Sequence, residues 1–314
     1  MKKVMILSGG TSTAWHIASV LSKYYSDKMH LIICDINPEY LVHSSVLADT
    51  YIQVPLIKSE TYYEEMLHYL ELHQVDILIP LIDNDITLFS RDNADLQRMG
   101  IYSTAPKAET ISALSNKKNL SDTLGKVGVA TPMCIDSVSK IKEEATYFKK
   151  DAIGCGSKGA EFVKGKDILQ NGDWENIVVQ EVCKPPEITV DVIQNHGEVY
   201  IACRERIETK LGVSTKCRIF YDDEIHEIMK KIVSVMELPT VFCVQFMKNT
   251  ENNWSLIDFN LRSGGGTAIS SAVGFEAVRY AAALWLGETA DTAWLALPAT
   301  DSYVVRTYSE VVTR

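Results

Sequence analysis

The sequence has no C-x-x-C pair: its seven cysteines, at 34, 134, 155, 183, 203, 217 and 243, are scattered singly and odd in number. That pattern excludes a disulfide framework and implies reduced thiols in a cytoplasmic chain. No stretch approaches the roughly 18 consecutive apolar residues of a membrane-spanning helix. The first apolar run, Val4-Met5-Ile6-Leu7, is too short for a secretory signal. Basic residues are in the minority, 31 Lys and Arg against 41 Asp and Glu, giving a net charge of -10. A chain so acidic is unsuited to phosphate-driven nucleic-acid binding, although a nucleotide pocket needs only a few well-placed cations. The seven histidines show no H-x-x-x-H spacing, and no Ser/His/Asp or Cys/His arrangement for nucleophilic catalysis is recognisable. There is no internal repeat and no low-complexity tract.

What remains is an ordinary globular composition, 46% hydrophobic and 23% charged over 314 residues, enough for two or three compact units. Residues 3–7, 30–34, 51–54 and 75–80 read as strands, and residues 13–25 and 62–73 as helices between them. Such alternation predicts a parallel sheet with helices on its faces, a Rossmann-like α/β unit ending near Pro106. From residue 107 the texture changes. A helix is expected over 110–127, then short strands at hairpin spacing over 147–150, 161–164, 176–182, 189–194 and 198–204. A helix at 223–236, strands at 241–248 and 254–261, and a long apolar helix at 268–286 complete an α+β region rich in antiparallel strands.

Residues 241–262 form the sharpest local feature. Two apolar-alternating runs flank the turn-prone Asn249-Thr250-Glu251-Asn252-Asn253. A hairpin symmetric about Glu251 and Asn252 opposes Phe246 to Ile257, Val244 to Phe259 and Phe242 to Leu261 on one apolar face. The period of two then puts Gln245 opposite Asp258 and Cys243 opposite Asn260 on the other face, with Arg262 next in line. Directly opposed Cβ atoms lie about 5 Å apart. Gln245, Asp258 and Asn260 would therefore present their oxygens together, as a hard divalent cation requires. A merely solvated hairpin face would show the same pattern. Gly264-Gly265-Gly266-Thr267 follow at the start of the expected long helix, where backbone N–H groups can approach an anion.

A second glycine-rich segment, Gly154-Cys155-Gly156-Ser157-Lys158-Gly159, lies between two strand-like runs behind Lys150. Its glycines and N–H groups suit a cover for phosphates, and equally a ligand-free hairpin tip. It is not a G-x-x-x-x-G-K-[ST] loop leading into a helix.

In order along the chain, these pieces resemble the ATP-grasp superfamily, in particular the modules of the carbamoyl-phosphate synthase large subunit. Val4 to Thr11 looks like the pre-ATP-grasp start, and Pro80-Leu81-Ile82-Asp83-Asn84-Asp85 like its P-x-x-D-x-E segment. Asn116-Lys117 with Gly128-Val129-Ala130-Thr131-Pro132 is similar to the D-K helix and G-I-x-T-P turn. Lys150 with the second glycine segment is similar to the phosphate lid. Val179-Gln180-Glu181-Val182 followed by Glu187 looks like the adenine hinge, and Gln245 with Asp258-Phe259-Asn260-Leu261-Arg262 like the metal-binding Q…E-x-N-P-R. Three positions depart from the pattern: Asp258 replaces glutamate, Asp151 replaces the proline after the lid lysine, and Leu261 replaces the proline before Arg262.

The resemblance implies a pre-ATP-grasp domain over 1–106, a small ATP-grasp subdomain with the lid over 107–182, and a C-terminal subdomain over 183–314. It implies an ATP-dependent ligase joining a carboxylate to an amine through an acyl phosphate, with an amino acid or related small acid as substrate. Lys117, Lys150, Gly156, Ser157, Lys158, Gln180, Glu181, Val182 and Glu187 would bind ATP. Gln245, Asp258 and Asn260 would hold magnesium (or manganese), and Arg262, Asn260 and Lys150 would act on the reacting groups. Arg204, Arg206, Gly265 and Gly266 would border the substrate. Partners would be small-molecule acids and amines, with neither nucleic acid nor membrane, and a homodimer is expected from relatives. Two other readings stay open: a non-catalytic nucleotide binder on the same scaffold, and a nicotinamide-dependent oxidoreductase suggested by Gly9, Gly10 and Asp35.

Overall fold

The structure, a computed structural model, describes residues 1–152, 159–170, 176–210 and 212–313. The lid residues Gly156, Ser157 and Lys158, and Cys155 just before them, lie outside the described residues.

The first third folds as its alternation predicts. β1 (Lys2–Ile6), β2 (Met29–Asp35), β3 (Thr50–Gln53), β4 (Ile77–Ile79) and β5 (Tyr102–Ser103) form a parallel sheet in the order β3-β2-β1-β4-β5. α1 (Ser12–Tyr25), α2 (Tyr62–Leu72), α3 (Asp83–Leu88) and α4 (Ala94–Met99) connect the strands. Thr11 caps α1 by accepting the Ala14 N–H at 3.1 Å. Buried residues alternate between the sheet's two faces: Val4 and Ile6 pack with α1, while Met5 and Leu7 pack with α2. The runs are nearly all apolar because both faces are covered.

The next region opens with two helices, α5 (Ala108–Ser115) and α6 (Lys117–Gly125), where the sequence predicts one over 110–127. Asn116 breaks them: its backbone is extended, and its side chain accepts the Lys118 N–H to cap α6. β6 (Thr146–Asp151), β7 (Glu161–Lys164) and β8 (Ile177–Gln180) make a small antiparallel sheet in the order β7-β6-β8, with α7 (Gly165–Gln170) after β7.

The largest sheet has six antiparallel strands in the order β13-β12-β9-β10-β11-β14: β9 (Lys184–Asn195), β10 (Glu198–Lys210), β11 (Val213–Phe220), β12 (Val241–Lys248), β13 (Trp254–Asn260) and β14 (Ser302–Val305). One face carries Ile188, Val190, Val192, Phe242, Val244 and Phe246 into a core with α5, α6 and α8 (Asp223–Val235). By the period of two, the opposite face carries Thr189, Asp191, Arg204, Cys243, Gln245, Asp258 and Asn260. That is the polar face on which a site can be built.

The apolar helix expected over 268–286 is two helices, α9 (Thr267–Ser271) and α10 (Ala277–Leu286). Gly274, at φ +101, makes the break. α10 then packs Val278, Ala282 and Ala283 onto the first sheet's core beside Ile17 and Leu21 of α1. The last third of the chain therefore covers the first. Among the described residues no helix is long and apolar enough to cross a membrane, and all six described cysteines are free.

Candidate active site

The β12–β13 hairpin brings Gln245 opposite Asp258 and Cys243 opposite Asn260, the register that the alternation predicts. The pairing beyond them differs. Phe246 faces Leu256, not Ile257, because a bulge at Ile257 shifts the ladder by one residue. The bulge has a visible consequence: Lys150 Nζ, arriving from β6, donates to the Ile257 carbonyl at 2.9 Å. Lys150 is 8% exposed. Burial pulls its ammonium below the usual lysine range; the Asp258 charge works against this, and Lys117 adds to the lowering. Asp258 and Lys117 thus both act on the Lys150 charge. Asp258, Asn260, Lys117 and Asp83 line one cleft, the last from the first turn of α3.

Asn260 Nδ2 donates to Asp258 Oδ2 at 3.3 Å, and Gln245 stands opposite Asp258 across the hairpin. The donor set is one carboxylate and two amides. Among the described residues no group of three or more His, Cys, Asp or Glu forms a metal cluster. A hard cation fits such a set when phosphate oxygens supply the remaining negative charge, as magnesium sites on nucleotides do. Asp151 is not beside the lysine it follows. Successive strand side chains point to opposite faces, and its carboxylate lies so near Gly159 that a Cβ there would come within 2.7 Å of Oδ1.

The hinge segment runs from β8 into β9. Glu181 donates its N–H to the Met133 carbonyl at 3.0 Å, and its carboxylate accepts the Met133 N–H at 3.0 Å and the Thr250 hydroxyl at 3.2 Å. The Glu181 N–H is therefore committed, and its carbonyl is the backbone group left to meet an adenine. Gln180 is buried and bonds Cys134 Sγ at 3.4 Å. Val182 follows at the mouth of the hinge, directly before the half-buried Cys183. Glu187 pairs with Arg206, which also donates to Ser214 Oγ at 3.2 Å and the Gly212 carbonyl at 2.8 Å.

Arg204 and Arg206, expected at the substrate, are both spoken for. Arg204 is 2% exposed and holds Asp191 through Nε at 2.8 Å and Nη2 at 3.0 Å. Asp191, fully buried, also accepts Thr267 Oγ1 at 2.8 Å and Ser270 Oγ at 2.5 Å. The glycine loop lies on this network. A Cβ at Gly266 would stand 2.1 Å from Arg204 Nη1, and one at Gly264 would stand 2.9 Å from Cys243 Sγ. Only backbone can approach so closely. The Gly264 N–H goes to Thr267 Oγ1 at 3.0 Å. Those of Gly265 and Gly266 have no partner among the described residues. α9 spans only five residues and is not the long helix expected to follow the glycines. Arg262 donates from Nη1 to the Ser263 carbonyl at 3.1 Å, and its Nε is buried without a partner.

Two groups were not named as site residues: Asp83, which lines the cleft with Asp258 and stood only in the P-x-x-D-x-E likeness, and Asp191, whose partners come from two other segments, β10 and α9. A lone acid inside the apolar run of β9 was the only local signal for Asp191. Asp35, which suggested a nicotinamide reading, spends Oδ2 on the Gly10 N–H at 2.7 Å and Oδ1 on both nitrogens of Asn37.

Comparison with known proteins bears on the fold. Residues 173–310 match the family described as ATP-grasp in the biosynthetic pathway with Ter operon, and residues 4–104 match the PylC-like N-terminal domain. The ADP complex of N5-carboxyaminoimidazole synthetase from Staphylococcus aureus superposes with a TM-score of 0.72 at 14% identity, covering 92% of this chain and 78% of that one. For biotin carboxylase from Campylobacter jejuni, bound to a β,γ-ATP analogue, the TM-score is 0.74 at 15% identity, with coverage of 96% and 75%. For L-amino acid ligase from Bacillus licheniformis it is 0.73 at 12% identity, with coverage of 96% and 79%. No curated protein matches the sequence. The fold is that of an ATP-grasp protein. Residues 173–310 thus carry an ATP-grasp family match and residues 4–104 a PylC-like N-terminal domain match, on a fold shared with the solved ATP-grasp structures.

Proposed function

We propose that this chain is an ATP-dependent ligase joining a carboxylic acid to an amine, with an amino acid or a related small acid among its substrates. The observation that carries the reading is Asp258 paired across the hairpin with Gln245 and bonded to Asn260 on the polar face, with Lys150 buried against the same hairpin. Lys117 and Lys150 would hold the phosphates, the Glu181 carbonyl and Val182 the adenine, and Glu187 the ribose. Glu187 would have to share its carboxylate with Arg206. Gln245, Asp258 and Asn260 would hold magnesium or manganese, which supplies charge neutralisation on the transferring phosphoryl group. The three-part division at 106 and 182 belongs to the same reading, as does a homodimer. The narrower likeness to carbamoyl-phosphate synthase rests on the sequence motifs alone.

In the first step a substrate carboxylate oxygen attacks the γ-phosphorus and ADP leaves, giving an acyl phosphate. Arg262 and the Gly265 and Gly266 amides would hold that anion. The amine nitrogen then bonds to the acyl carbon, the carbon–oxygen bond breaks, and phosphate departs with the electron pair and takes up the amine proton. Each preorganised donor contributes roughly 3 kcal/mol to such a transition state. One observation favours the second reading, a non-catalytic nucleotide binder: a single carboxylate serves the metal position.

ADP release with magnesium, ATP and a panel of paired acids and amines separates the two readings. Release that needs both an acid and an amine is expected of the ligase. Stabilisation by ATP and magnesium in thermal unfolding, with no release for any pair, would leave only the binder.

A further inference from the structure

Three arginines surround the glycine loop, and they are not equivalent. Arg204 is fully paired with Asp191, whereas Arg262 has only a neighbouring carbonyl. The third, Arg306, follows β14 at the far edge of the six-stranded sheet. Its N–H donates to the Thr215 carbonyl at 2.8 Å, which continues the ladder one residue beyond the strand. Its side chain reaches back over the polar face, and Nη2 donates to the Gly265 carbonyl at 2.6 Å.

Arg306 is half-buried, and among the described residues no carboxylate lies within ion-pairing distance of it. Burial and then the Arg204 charge hold it below the usual arginine range. His16, on α1, is pushed down to about 4 by burial, so at pH 7 it is neutral and adds no charge of either sign beside Arg306. On the other side of Gly265 stand the α1 hydroxyls: a Cβ there would lie 3.1 Å from Ser12 Oγ. A half-buried guanidinium with one of its five donors used and no counter-ion is costly unless an anion completes it.

We propose that Arg306 binds the α-carboxylate of an amino acid that serves as the amine substrate. This rests on the ligase reading above. Arg262 and the loop amides serve the activated acyl phosphate, so a second uncompensated cation across the loop calls for a second anion. In the coupling step that anion is carried by the incoming amine, whose nitrogen must reach the acyl carbon while its own carboxylate stays unreacted. Arg306 is thus a substrate-positioning and specificity residue, not a group that touches the reacting atoms.

The test uses the full chain with magnesium and ATP, measuring ADP release with each of the twenty L-amino acids as amine and with the corresponding α-amides. The wild type is expected to prefer the free acid over its amide by about 10- to 100-fold in kcat/KM, the value of a charged hydrogen-bonded pair. Arg306→Gln is expected to abolish that preference by raising KM for the acid only, leaving KM for ATP within about twofold, and Arg306→Lys to restore part of it. A merely structural strut for Gly265 would weaken acid and amide alike, and an unchanged preference in Arg306→Gln would overturn the proposal. If Arg306→Gln does not fold, acid-against-amide selectivity in Arg306→Lys decides. Release supported equally by amines without a carboxylate also overturns it while leaving the ligase standing; failure of a non-hydrolysable ATP analogue to bind removes the ligase reading itself.

Discussion

Asp258 and Asp191 lie on the same face of the same sheet, with β12 between their strands, yet they do opposite work. Asp191 is fully buried and accepts four hydrogen bonds, two from Arg204 and one each from Thr267 and Ser270. Asp258 accepts one weak bond from Asn260 and opens on a cleft shared with Lys117. Charge and position on a polar face do not separate scaffold from site. What separates them is how much each group already holds: a saturated acid fixes the loop above it, and an unsaturated one keeps the capacity to accept further donors or a cation.

Three variants can break or sharpen that contrast. Asp191→Ala leaves Arg204 buried without its counter-ion and strips Thr267 and Ser270 of their acceptor. It is expected to cost about 3–5 kcal/mol in urea unfolding. A loss under about 1 kcal/mol would show that the network is not what secures the glycine loop.

Asp85 provides an intermediate case, a carboxylate 1% exposed that has hydroxyl donors but no cation. Tyr62 donates to it at 2.6 Å and Ser8 at 3.2 Å. Burial raises its pKa from the ordinary 3.8 to about 6, against those two hydrogen bonds. The folded state therefore holds a proton that the unfolded state has released. The associated stability is complete below the unfolded pKa and is lost as pH rises through about 6. Between pH 4 and pH 7 the wild type is expected to lose about 2 kcal/mol relative to Asp85→Asn, most of the value of the shift, since each tenfold change in proton affinity is worth about 1.4 kcal/mol. Parallel stability–pH curves for the two proteins would contradict this.

Much of this was legible in the sequence where the determinants are local. The β12–β13 register follows from two alternating runs around a short polar turn, so Gln245 and Asp258 could be paired without coordinates. The bulge at Ile257 could not, since it accompanies a lysine contributed from β6, more than a hundred residues earlier. Asn116 and Gly274 each split a helix that apolar periodicity joins, because a cap and a positive φ act on one residue and periodicity averages over many. β11 and β14 were not legible. β14 is a four-residue edge strand with Tyr303 and Val305 exposed, and nothing local sets it apart from a loop. The Asp191–Arg204 pair and the reach of Arg306 to Gly265 depend on strands meeting across the sheet, which a linear reading does not supply.

The smallest stability effect is expected at Asp258, where alanine should change unfolding by less than about 1 kcal/mol because so little is bonded to it. The same variant gives the most direct test. Calorimetric titration of wild type and Asp258→Ala with a non-hydrolysable ATP analogue, with and without magnesium, should show the wild type gaining affinity from the metal. The variant should lose at least about tenfold of its metal-dependent affinity. Equal, magnesium-enhanced binding by both proteins would contradict the account.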